Sequence, residues 1–223
     1  MHNLLKTLID LFLHLDKNLA LIISHYGAAT YLLMFGIIFM ETGFVVTPFL
    51  PGDALLFASG ALAASGILSI WLTYLIFLVA AVLGDTVNYW IGHFVGPKIF
   101  DAETGLAKGN KFIKKEYLDK TQNFYAKHGN MTIILARFVP IVRTFAPFVA
   151  GIAKMSYKRF ITYNIIGGFL WVTIFTWTGF FFGNLPFVKS NFEFIVVFIV
   201  LLSIVPIVHE WMKSMMQKRT AKN

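Results

Sequence analysis

Two long apolar stretches, each broken by prolines and each carrying a few ionisable side chains, constrain this chain more than any other feature. The first runs from Asn18 to Gly84 and holds only Glu41, Asp53 and the titratable His25; the second runs from His128 to Ala153 and holds Arg137 and Arg143 as its only charges. An ionisable group at bilayer depth costs about 3 kcal/mol or more unless it faces protein or a wet cavity. Acids in one apolar segment and arginines in the other therefore point to a polar site built inside a membrane protein.

The rest of the composition agrees. Of 223 residues, 57% are hydrophobic and only 13% charged, against about 25% charged in soluble domains. This length suits one domain, and 24 phenylalanines suit a surface that meets lipid. With no cysteine, disulfides and thiolate metal sites are excluded. The net charge of +8 lies in loops and the tail, where a positive-inside bias explains it better than nucleic acid does. The first 24 residues place Lys6, Asp10, His14, Asp16 and Lys17 among leucines and isoleucines at near-helical spacing. That pattern predicts an amphipathic interfacial helix rather than a cleaved signal, and leaves open whether it spans or lies on the membrane.

Residues 25–64 read as a re-entrant hairpin: one limb to about Val46, a tip at Pro48, Pro51 and Gly52, and a return through Ala54 to Ala64. Proline lacks the amide donor and disfavours helix in its predecessor, and broken backbone at membrane depth needs protein or water to satisfy it. A full crossing followed by an external loop is the alternative, but the polar break is very short and apolar sequence resumes at once. Residues 66–96 predict a transmembrane helix and 97–127 a lysine-rich cytoplasmic loop. Residues 128–153 form a second hairpin, with Pro140, Thr144 and Pro147 at its tip. Residues 160–188 and 194–212 read as further spans, and 213–223 as a basic tail. Placing the basic segments in the cytoplasm sets the C-terminus inside and the two hairpins entering from opposite faces. The expected fold is thus an all-α integral membrane protein. Each half is a broken hairpin followed by a long helix ending in Gly-x-x-x-Gly, at 92/96 and 179/183. Such inverted repeats with discontinuous helices are a recurrent transporter design.

Arg137 and Arg143 are permanently charged forks suited to phosphate or carboxylate. They stand six residues apart across Pro140, so a break there can turn both toward a common point. Glu41 and Asp53 flank the first tip, where carboxylates set between a desolvating interior and nearby cations suit proton or ion coupling. Internal salt bridging that merely fastens the halves is the competing explanation, although a buried pair is weak evidence for stability. Asp85 and Asn88 lie near one end of the 66–96 helix and read as interfacial or packing residues, accessory to the site at most. His25, His93 and His128 are scattered near predicted boundaries and read as interface histidines. No metal-ligand spacing, Walker loop, nucleophile elbow or Ser/His/Asp arrangement is present, so neither a cofactor nor an enzyme is expected.

Three segments carry a family resemblance: Phe39-Met40-Glu41-Thr42-Gly43, Pro48-Phe49-Leu50-Pro51-Gly52-Asp53, and the run from Ala136 through Arg137, Pro140, Arg143, Thr144 and Pro147 to Gly151. Together they resemble the bacterial DedA family, related to the eukaryotic VTT-domain lipid scramblases, and the resemblance covers nearly the whole chain. It implies a multi-pass inner-membrane protein with two opposed re-entrant hairpins and lipid-translocation activity. Some members are implicated in returning undecaprenyl phosphate across the membrane, and others in proton-linked membrane homeostasis. The family's functional acids map onto Glu41 and Asp53, and its arginines onto Arg137 and Arg143. The expected function is therefore a flippase for a lipid phosphate, with membrane lipids and protons as partners, no nucleic acid, and a homo-oligomer left open. A proton-coupled carrier of a small solute or ion would use the same four charges. A membrane phosphatase lacks an evident nucleophile and metal, and a structural organiser would tolerate exchange of Glu41 with Arg143.

Overall fold

A computed structural model describes residues 26–44, 52–100, 131–191 and 194, with the side chains of 96–100, 140, 141 and 189 excepted. The elements are α1 (Ala29–Gly43), α2 (Gly52–Ala64), α3 (Ile70–Phe100), α4 (Pro140–Ile152), α5 (Tyr157–Phe182) and α6 (Pro186–Ser190), with a helical stretch at 131–136 before α4. No strand occurs among the described residues. Ile70–Val95 of α3 and Tyr157–Phe182 of α5 are apolar runs of 26 residues each. At a rise of about 1.5 Å per residue each is roughly 39 Å long, enough to cross a hydrocarbon core of about 30 Å. The 15 residues of α1 and the 13 each of α2 and α4 reach only about 20 Å.

Large apolar side chains cover the surface of the long helices, and a group of polar side chains lies inside. Trp71 is 70% exposed and Phe169 50%, with Leu75, Leu83, Phe94, Ile165 and Ile174 also outward. Glu41, Asp85, Asn88, Arg137, Arg143, Thr144 and Asn164 are buried. So much exposed apolar surface is unfavourable in water and natural in lipid, where buried polar groups face protein rather than hydrocarbon.

The helix ends follow local chemistry. α2 closes in a Schellman turn, Gly66 N–H to Ala63 O and Ile67 N–H to Leu62 O, with Gly66 in the left-handed region at φ +78°. α4 opens on Pro140 after an extended Val139, the position where a missing donor matters least. It closes in a second Schellman turn, with Lys154 at φ +53° in the place glycine usually takes.

Contacts divide the chain into two units. Of the described residues, the larger holds 28–44, 71–100 and 131–174; the smaller holds 26–27, 52–70, 175–191 and 194. In the larger unit Tyr89 stacks on Phe160 with ring centroids 4.4 Å apart and donates its hydroxyl to Met155 O. Ile133, Ala136, Ala146 and Ala150 pack around them. There α3 and α4 cross so closely that a Cβ added at Gly92 would stand 2.0 Å from Phe148 O, and one at Gly151 2.1 Å from Tyr89 O. Within the smaller unit α2 crosses the end of α5 in the same manner: a Cβ at Gly179 would meet Phe57 O at 2.0 Å, and one at Gly60 would meet Thr176 O at 2.1 Å. Small residues set both approaches.

Several boundaries differ from the sequence expectation. The third helix begins at Ile70 and stays helical through Phe100, past Pro97. α5 starts at Tyr157 rather than 160 and stops at Phe182, where Gly183, Asn184 and Pro186 punctuate the chain. Pro147 is not at a tip: it lies inside α4, and Thr144 occupies the second turn of that helix. The amphipathic helix at 1–24, the first tip with Pro48 and Pro51, most of the 97–127 loop, most of the 194–212 span and the basic tail lie outside the described residues.

Candidate functional site

Four elements of the larger unit deliver polar side chains to one buried region. α1 brings Glu41 in its last turn, and α3 brings Asp85 and Asn88 one turn apart. Before α4 the chain winds tightly, through Arg137 N–H to Ile134 O at 3.3 Å, Phe138 N–H to Leu135 O at 3.1 Å and Val139 N–H to Ala136 O at 3.0 Å. Helix then resumes at Pro140, so Arg137 precedes the break and Arg143 follows it by one turn.

Each arginine has its own acid. The Arg143 Nη2 group donates to Glu41 Oε1, joining α1 to α4, and its guanidinium lies 4.7 Å from the centre of the Trp171 ring. Arg137 Nη2 donates both to Asp85 Oδ2 and to Asn164 Oδ1. Asn164 in turn donates to Val82 O at 3.1 Å. Asn88 donates to Thr42 O at 3.1 Å and to Thr144 O at 2.7 Å, so one amide on α3 clasps α1 and α4 together. Exposure is 0% for Glu41, 1% for Asp85, 2% for Arg137 and 3% for Arg143. Both guanidiniums are near enough to act electrostatically on Asp85. Nε and Nη1 of Arg137 have no acceptor among the described residues, an expensive state for a buried cation and a ready one for an anion.

Of the residues singled out from sequence, Glu41, Arg137, Arg143, Thr144, Asp85 and Asn88 share this unit. Asp53 stands half-buried in the first turn of α2 in the other unit, where Gly52 opens the helix. Asp85 and Asn88, read as interfacial or packing residues, are not at an interface: both are buried, and each holds elements of the larger unit together. Sequence reasoning passed over Asn164 and Trp171. With Gly167 and Gly168 they follow an i, i+3, i+4, i+7 pattern on α5, which was the available signal. The glycines make room for Arg137, since a Cβ at Gly167 would lie 3.0 Å from its Cδ.

Comparison with known proteins agrees with this architecture. Residues 50–181 match the VTT domain. The chain is 50% identical over 206 residues to Protein DedA of Escherichia coli strain K12, an alignment covering 92% of each. It is 43% identical over 188 residues to an uncharacterized membrane protein of Mycobacterium leprae, covering 84% of this chain and 82% of that one. It is 33% identical over 186 residues to Inner membrane protein YghB of E. coli K12, covering 83% and 82%. No solved structure matches the chain. Polar groups gathered inside an apolar helical shell and identity sustained over nine-tenths of the sequence lead to one assignment: the chain is a membrane protein of the DedA family, built on a VTT domain.

Proposed function

We propose that this protein translocates a lipid phosphate, such as undecaprenyl phosphate, across the inner membrane, with the phosphate held between Arg137 and Arg143 and the acyl or prenyl tail left in the bilayer. The observation that carries the reading is Arg137 itself: a guanidinium 2% exposed whose Nε and Nη1 face no acceptor among the described residues. An anionic head group cannot enter hydrocarbon unpaired, and forked arginines are the side chains best matched to its oxygens. Binding and transfer by these groups involve no covalent step. Glu41 is the counter-ion that keeps Arg143 in place between substrates, and Asp53 is read as a carboxylate at the start of the returning limb of the first hairpin.

The paired glycine crossings support the inverted-repeat reading. Phe57 and Gly60 stand to Thr176 and Gly179 as Phe148 and Gly151 stand to Tyr89 and Gly92, so each second limb uses the same local contact on a long helix. Ser65, just past α2, donates to Asn184, just past α5, which fits both ends lying at one face of the membrane.

The test is transfer of undecaprenyl phosphate by purified protein in vesicles. Arg137→Ala and Arg143→Ala are expected to abolish transfer, a loss of about 100-fold or more for interactions worth roughly 3 kcal/mol. Removing one member of a buried pair also costs about 3–5 kcal/mol of stability, so Arg137→Lys is the companion: charge retained, fork lost, transfer reduced at least tenfold in a folded protein. Wild-type rates from correctly inserted alanine variants would refute the proposal, and proton flux with a small solute in vesicles free of lipid phosphate would favour a solute carrier.

A further inference from the structure

Resting on the reading of the arginines as phosphate holders, we infer that Asp85 is the coupling carboxylate: it occupies the anion seat on Arg137 and yields it by taking up one proton for each phosphate monoanion that enters. The sequence pointed to Glu41 and Asp53 for coupling; the geometry assigns it to α3 instead.

Charge balance is the first argument. Glu41, Asp85, Arg137 and Arg143 are buried in one unit, and their two negative and two positive charges cancel. A phosphate monoanion added to that set leaves an uncompensated charge in a desolvated interior, which burial strongly disfavours. One proton on a carboxylate restores neutrality. Arginine cannot supply the difference, because it stays protonated.

Geometry selects the carboxylate. Asp85 Oδ2 and Asn164 Oδ1 share the Nη2 of Arg137, so a phosphate oxygen on the unaccepted Nε or Nη1 would crowd a second anion onto one guanidinium. A proton on Asp85 relieves that repulsion. Asp85 Oδ1 has no partner among the described residues, so it can be protonated without breaking another bond. Asn164 is neutral and anchored on Val82 O, so it keeps Arg137 oriented after Asp85 lets go. Glu41 suits the role less, because its bond to Arg143 ties α1 to α4. The ionisable groups facing Asp85 are Arg137 from the turn before α4 and Arg143 within α4. From α1, Glu41 reaches this set through Arg143, and from α5 the facing group is the neutral Asn164. His93, also on α3, lies two turns farther along, about 12 Å by helix rise. The proton is drawn from the aqueous phase with the substrate and returned to water when the phosphate leaves.

The experiment titrates undecaprenyl phosphate into full-length protein in detergent between pH 5.5 and 8.5, counting protons taken up on binding from buffers of different ionisation heat. Asp85→Asn is expected to bind about tenfold more tightly than wild type at pH 7.5 and to take up one proton fewer per phosphate. In vesicles its transfer should lose the pH dependence of the wild type. Equal proton uptake by the two proteins overturns the inference, and so does weaker binding by the variant, which a merely structural Asp85 predicts. If Asp85→Asn does not fold, Asp85→Glu takes its place: uptake retained with a shifted pH midpoint supports the assignment, and an unshifted midpoint overturns it. A wild type that binds no phosphate at any pH sinks the phosphate reading and the inference with it, whereas binding with unchanged uptake sinks only the inference.

Discussion

Arg143 is held from two sides by groups of different kinds, the Glu41 carboxylate and the Trp171 ring at 4.7 Å. The ring adds attraction without adding charge, worth about 1–2 kcal/mol when desolvated, and leaves the cation able to bind an anion. Trp171→Phe should therefore lower phosphate transfer by about tenfold or less with little change in melting temperature. Trp171→Leu, which removes the quadrupole and leaves a gap in a fully buried position, should lower both. Undiminished transfer by a folded Trp171→Leu protein would separate the ring from the site. Glu41, Arg137 and Arg143 were legible in the sequence because charge in an apolar run is rare and expensive. Trp171 and Asn164 were not, because an aromatic ring or a lone amide within a long uncharged span reads equally well as lipid-facing. Asp85 was discounted for a different reason. Sequence alone does not show that the face of α3 carrying Asp85 meets Arg137 and Asn164.

Elements meet here by backbone contact more than by interlocking side chains. At Gly92 and Gly179 a Cβ would stand about 2.0 Å from a carbonyl oxygen of the crossing helix, a clash that neither helix relieves by rotating a side chain. Gly92→Ala and Gly179→Ala should each lower stability by about 1–3 kcal/mol, the usual range for overpacking, and do so in thermal melts of detergent-solubilised protein. Gly36 is the internal control. It lies mid-helix in α1 with nothing within 4 Å of a Cβ, so Gly36→Ala should be neutral or stabilising by up to about 1 kcal/mol. Equal melting of all three variants would show that the crossings have slack. The Gly-x-x-x-Gly spacing at 92/96 and 179/183 was visible in the sequence, but its partners, Gly151 and Gly60, were not, because spacing names one surface and never the surface it meets. Pro147 shows the converse. Expected at the tip of the second hairpin, it sits inside α4, since freed backbone groups in membrane helices can be satisfied by neighbouring structure.

At the scale of the whole molecule, the long and the short helices constrain the path of the chain through the membrane differently. α3 and α5 are long enough to cross and were recognised by length and apolarity alone. The short helices α1, α2 and α4 cannot cross singly, so pairing by parity was the only guide that composition offered. If α1 and α2 return to the face they entered, Ala28 and Ser65 lie on one side. If the stretch at 131–136 and α4 do likewise, Met131 and Ser156 lie on the other, with α3 carrying the chain between. The absence of cysteine makes this directly measurable, and all four positions are exposed. Single variants Ala28→Cys and Ser65→Cys should react with a membrane-impermeant maleimide added to intact cells, and Met131→Cys and Ser156→Cys only after the inner membrane is opened. Opposite accessibility of Ala28 and Ser65 would make the first pair of helices a crossing. Glu41, near the end of α1, would then sit toward the far face of the bilayer, where its bond to Arg143 could not belong to a site entered from both sides.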